Sequence, residues 1–238
     1  MGLDIYAGTL TRYYTNNWKT IVQQIAEENG MRFEAVRTQD DDEDLSPEEA
    51  LEIVTEWRDA VINALHLDPA PLWNEDYDTT PYYTDKPDWD ALGALILYIA
   101  AKYSGKEVPA EFRKGEDVYE HPIVKDFIKT KDRLVSLIDG CGWWIPVKRN
   151  IMFEYELPDY EEGSLATSEL LLSELKKYNS FEWNADRDTI ISWRTTEGYP
   201  EGDADVYNTE SLAKLAFSIL WQAAEFSLEH GVVVLYDF

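Results

Sequence analysis

The residues best suited to hold a ligand lie in the turn after the first apolar stretch. They are Gly8, Thr9, Thr11, Arg12 and Asn16, interleaved with Tyr13, Tyr14 and Asn17. Glycine lets the backbone approach closely, two hydroxyls and a guanidinium can donate hydrogen bonds, and a following helix adds the partial positive charge of its first turn. Such a set suits a small anion. Ligands of open sheets collect beyond the carboxyl ends of strands, where this turn is expected. The same residues also serve simply to cap a helix and pack its tyrosines.

A second set is acidic. Glu201, Asp203 and Asp205, with Asn208 nearby, place oxygens two residues apart, which hard cations such as calcium favour. An EF-hand loop needs glycine where Val206 stands and glutamate where Leu212 stands, so this is a different loop. Residues 74–78 offer a similar cluster. A hydrated acidic loop accounts for either segment without a metal.

A third set is aromatic. The chain has nine tryptophans and fifteen tyrosines. Trp73, Tyr77, Tyr82 and Tyr83 fall in one proline-rich stretch, and Trp143 and Trp144 are adjacent. Neighbouring strand residues face opposite sides, so one of that pair is expected at the surface. Exposed Trp and Tyr anchor protein interfaces and also stack on sugar rings; buried, they are ordinary core.

Familiar catalytic signatures are missing. There is no G-x-G-x-x-G, no phosphate-binding P-loop, no G-x-S-x-G elbow and no H-E-x-x-H. The three histidines, His66, His121 and His230, each fall near an expected helix end, where a dipole partner or surface role is usual. The single Cys141, between two glycines, allows neither an intrachain disulfide nor a multi-cysteine zinc site. Carboxylates are so abundant that no catalytic pair stands out. No cofactor is expected, and the balance leans away from an enzyme.

Charge is the strongest compositional feature. Asp and Glu number 47 against 21 Lys and Arg, a formal net charge of -26 in 238 residues. The run Asp40, Asp41, Asp42, Glu43 and Asp44 is the densest part. Such a surface repels nucleic-acid phosphates and anionic membranes and attracts basic proteins. No apolar run is long enough to span a bilayer. The first residues lack the basic and apolar regions of a secretory signal, so a cytoplasmic location is expected.

These residues must be positioned by a mixture of strands and helices. Leu3, Ile5 and Ala7 alternate as a strand; Trp18, Ile21, Val22 and Ile25 form a helix face; Met31, Phe33 and Ala35 read as a second strand and suggest a crossover unit. Ser46, Pro47 and Glu49 form a helix start with a capping box. Residues 68–87, holding Pro69, Pro71, Pro81 and Pro87, read as a long loop of the kind often used as a lid. Helices are expected over 88–103, 122–139, 165–178 and from Asn208 or Thr209 to His230. Strands are expected over 143–147, with Pro146 confining it to an edge or bulge, over 151–157, and over 189–194. Residues 232–235 form a continuous apolar strand that suits a central place in the sheet and the close of a complete fold.

The expected architecture is one α+β domain over residues 1–238: a mixed sheet of about five or six strands with helices on its faces, with α/β as the competing class. The leading functional expectation is a non-catalytic inhibitor or immunity-type protein that engages a basic protein through Asp40, Asp41, Asp42 and the aromatic residues. Against it stand a small-molecule or glycan enzyme with its pocket between residues 8–17 and 68–87, and a protein whose acidity only keeps it soluble.

Overall fold

A computed structural model describes residues 2–31, 45–68, 70–130 and 135–238. Among these, six strands form one mixed sheet in the order β2-β1-β8-β4-β6-β5: β1 (Asp4–Gly8), β2 (Tyr83–Asp85), β4 (Trp143–Ile145), β5 (Met152–Glu156), β6 (Glu162–Thr167) and β8 (Val233–Asp237). Only β4 and β6 run parallel; the other pairings are antiparallel. A separate two-stranded ribbon joins β3 (Glu111–Arg113) to β7 (Val206–Asn208). The fold is α+β.

The alternation of side chains along each strand divides the core in two. Leu3, Ile5, Ala7, Trp144, Ala166 and Val234 face a thick helical layer. That layer contains α4 (Asp88–Tyr103), α5 (Pro122–Thr130), α6 (Ser168–Phe181), α7 (Arg187–Thr196) and α8 (Thr209–His230). Their neighbours Tyr6, Ile145, Leu165, Val233 and Leu235 face the opposite side and meet Val54, Trp57 and Val61 of α3 (Pro47–Ala64). The short α1 (Leu10–Tyr14) completes this layer through Leu10, and α2 (Ile21–Glu28) follows it in the chain. Both faces of β8 are therefore covered, as its unbroken apolar run anticipates.

Helix ends follow local chemistry. Ser46 and Glu49 form the expected reciprocal capping box at α3, with Pro47 in the first turn. Asn208 caps α8 by accepting from the Ser211 amide, and Gly231 ends it at φ 68°. Residues 91–101 of α4 are all buried, packed mainly against α8.

Four local expectations are corrected. Residues 189–194 are helical, within α7: Asp186 caps it through the Thr189 amide, and Ile190 and Trp193, three apart, both turn inward. The helix expected from residue 165 begins at Ser168, because Leu165, Ala166 and Thr167 of β6 pair with β4, and Leu165 and Ala166 also with β5. Over 122–139 the helix is Pro122–Thr130, and residues 136–140 form turns in which Asp139 accepts from the Val135 amide at 2.6 Å. Pro146 does not put β4 at an edge: the strand stops at Ile145 and lies between β8 and β6. At β1 the described neighbours β2 and β8 are both antiparallel; of the second strand expected for a crossover unit, Met31 is not in a strand, and Phe33 and Ala35 lie outside the described residues.

Candidate binding site

The turn after β1 already holds an anion, and it belongs to the protein. Thr9 caps α1 by accepting from the Arg12 amide. Thr11 then donates its amide and its hydroxyl to one carboxylate oxygen of Glu75, at 3.0 and 3.1 Å. Trp73 donates its indole N–H to the other oxygen at 3.2 Å. Burial outweighs these bonds and pushes the Glu75 carboxyl up to about 7. Arg12 donates to the Tyr77 carbonyl and lies over the Tyr82 ring, 5.0 Å from its centroid. Gly8 is required by a close approach: a Cβ there would collide with the Tyr6 hydroxyl, which donates to the Thr9 carbonyl at 2.9 Å. Asn16 is exposed at φ 55° beyond the helix.

The segments expected to enclose an enzyme pocket thus close on one another. Tyr6, Trp18 and Tyr82 add ring contacts at 4.8 and 6.1 Å between centroids. Residues 74–80 form a turn knitted by their own polar groups: Asn74 donates to Thr80 at 2.7 Å, and Thr79 donates to Asp76 at 2.5 Å.

The aromatic candidates divide by burial. Trp73 and Trp144 are buried and cannot anchor a partner from there. Trp73 packs edge-on against Trp57 at 5.6 Å, and Trp144 against Tyr236 at 5.0 Å. Tyr77, Tyr82, Tyr83 and Trp143 are half-buried; Tyr83 packs on Phe226 of α8. Glu201, Asp203 and Asp205 are exposed, and Asp203 pairs with Lys114 at 3.6 Å. Among the described residues no three His, Cys, Asp or Glu side chains converge to hold a metal. Asp40, Asp41 and Asp42 lie outside the described residues.

A cavity of about 720 Å³ lies elsewhere, and its walls come from distant segments. Leu92, Gly93 and Ile96 of α4, with Leu137 and Cys141, give it apolar surface. Gly140 and Gly142 flank Cys141 without side chains, and a Cβ on Gly142 would meet only the Tyr236 ring, at 3.9 Å. Tyr13 of α1 and Tyr236 of β8 line it too; the Tyr13 hydroxyl donates to Asp237 at 2.8 Å. Burial, reinforced by the Asp237 charge, holds the Tyr13 phenol far above its ordinary range. The buried Tyr236 hydroxyl has no hydrogen-bond partner, with Cys141 and Tyr119 as neighbours.

Five carboxylates line this cavity: Glu116, Asp117, Asp159, Glu161 and Asp237. Among the described residues no lysine, arginine or histidine does. None of the five is in an ion pair among the described residues. Asp117 and Asp159 instead hold local turns, accepting from the Tyr119 and Glu161 amides at 3.0 and 3.1 Å. Trp89, Tyr119 and Phe238 are exposed beside them, at 46%, 40% and 73%, and the Trp89 and Phe238 rings meet edge-on at 5.3 Å. Sequence reading missed this site because its residues come from well-separated stretches, and no spacing brings them together. Trp143, expected as an interface anchor, does line it, and the Gly140-Cys141-Gly142 break was a second visible trace.

Chemically, the cavity offers negative charge, aromatic faces and an apolar interior. The only thiol in it is inert, since burial pushes Cys141 up to about 12. No described helix is long and apolar enough to cross a membrane. Searches against protein-family models, curated proteins and solved structures find no match for this chain.

Proposed function

We propose that this is a cytoplasmic, non-catalytic binding protein that engages a basic protein, in the manner of an inhibitor or immunity protein. One observation carries the reading: among the described residues, a cavity lined by five carboxylates and no cation, none of the five in an ion pair, beside three exposed aromatic rings. Carboxylates left without internal counter-charges are free to pair with charges brought by a partner, and a long-range field of the same sign speeds encounter. The net charge of -26 supplies that field and disfavours direct contact with nucleic acid.

The deciding experiment compares the wild-type chain with a rim-neutralised variant, Glu116→Gln/Asp117→Asn/Asp159→Asn/Glu161→Gln. Both are used to capture proteins from the source lysate at low salt, with elution in salt steps. A basic protein held stoichiometrically by the wild type and lost from the variant supports the reading. Equal retention by both rejects the cavity as the contact, and failure to retain any basic protein rejects the function.

A further inference from the structure

Resting on that reading, we infer that the cavity receives a short stretch of the partner's chain in which an arginine is flanked by a bulky apolar residue. The arginine spans the acidic rim while the apolar side chain fills the interior. Charge alone does not call for a cavity; the interior does.

Leu92, Ile96, Leu137 and Cys141 line the cavity and are at most 5% exposed. Among the described lining residues no cation offsets the rim, and nothing polar on these four residues suits a charged head group. A wholly hydrophilic basic segment would leave the apolar interior wet. A wholly apolar one would leave five carboxylates facing it without a counter-charge, which is costly once water is excluded. The two requirements together select an amphipathic basic segment. At about 720 Å³ the cavity has the size of pockets that enclose a ligand of several side chains.

Arginine fits the rim better than lysine. A guanidinium forms paired hydrogen bonds with a carboxylate and stacks on an aromatic face at the same time, whereas an ammonium is a strongly hydrated point charge. Trp89 and Phe238 stand exposed beside Asp237, Asp117 and Glu116, so a planar cation meets both kinds of surface in one place.

The test uses short capped peptides of equal charge, titrated by calorimetry against the full chain. One alternates leucine with arginine, a second has serine in place of leucine, and a third has lysine in place of arginine. The leucine–arginine peptide is expected to bind about tenfold or more tighter than the serine–arginine peptide, since one buried leucine contributes about that factor. Gly142→Leu adds bulk to the cavity wall at a position whose Cβ would make only an ordinary contact, with the Tyr236 ring at 3.9 Å. It is expected to abolish the preference for leucine while leaving the serine–arginine affinity in place. Trp89→Ala, at an exposed site, is expected to erase the preference for arginine over lysine. Equal binding of the leucine and serine peptides, or a preference untouched by Gly142→Leu in a variant with a wild-type melting profile, overturns the inference but leaves charge-driven binding standing. Should Gly142→Leu not fold, the comparison of the three peptides on the wild type and on Trp89→Ala decides alone. If no peptide binds even at low salt, the proposed function falls with it.

Discussion

Glu75 accepts two hydrogen bonds from Thr11, which lies 64 residues earlier, and so seats the loop after α3 against the first turn of α1. The turn after β1 has the composition of an anion site because it serves one, and the anion is an internal carboxylate.

That carboxylate makes stability depend on pH. Burial raises Glu75 from 4.5 in the open chain to about 7 in the fold. Between those values the folded chain binds more protons than the unfolded one, so this contribution is present below 4.5 and is lost as pH rises through 7. The full span is worth about 3 kcal/mol. Urea unfolding across this range should show wild type losing stability relative to Glu75→Gln as pH rises. A constant difference between the two would mean that Glu75 titrates alike in both states.

Asp85 and Arg194 tie β2 to α7. The guanidinium makes two bonds to the buried carboxylate, Nε at 2.6 Å and Nη2 at 3.1 Å. Arg194→Leu leaves the Asp85 charge with only the Tyr83 hydroxyl and the Lys86 amide. A loss of about 2–4 kcal/mol is expected, lessened from the fully buried case because Arg194 is partly exposed. Adding Asp85→Asn should restore part of that loss, and a double-mutant cycle in denaturant measures how much.

Two glycines with nearly the same backbone should respond differently to alanine. Gly30 and Gly231 have φ of 67° and 68°. A Cβ on Gly30 meets nothing within 4 Å, whereas one on Gly231 would lie 2.9 Å from the Leu72 carbonyl oxygen. Gly30→Ala should cost about 1 kcal/mol, the strain of a left-handed residue alone. Gly231→Ala should cost roughly twice that or more, since the loop from Leu72 must also move. Thermal melts of the two variants side by side check the ordering.

Cys141 should resist thiol reagents in the native state and react fully in denaturant. It is 3% exposed, and its thiol is pushed up to about 12 by burial. Labelling with a chromogenic disulfide at mildly alkaline pH measures both. Rapid native labelling would show that the Gly140–Gly142 wall opens readily.

What could be read from the sequence was what local chemistry decides. The Ser46 capping box, the Asn208 cap, the Gly231 stop and the two-sided burial of β8 are each set by residues close in the chain. Residues 189–194 misled because Thr189, Ile191 and Trp193 alternate, while the deciding signal was the Asp186 cap just upstream. Leu165, Ala166 and Thr167 misled in the opposite sense: they run straight into a helix, but two neighbouring strands claim them. Residues 8–16 were read as a place for a small anion, and the internal carboxylate that Thr11 bonds was hidden because Glu75 arrives from a distant loop. The acidic cavity was beyond reach for the same reason, being assembled by tertiary contact alone.

Residues 4–8 and 233–237 lie side by side at the centre of the sheet. While the chain is being made, β1 has one of its two neighbours only after residue 83, and the other not until β8 emerges. Sheet closure therefore waits for β8, a pairing of high sequence separation that is slow to form. Asp237, which bonds Tyr13 across the cavity wall, arrives with that strand. A partner that recognises the cavity would consequently ignore chains in which β8 has not yet paired with β1, and its binding would report that the two ends of this fold have met.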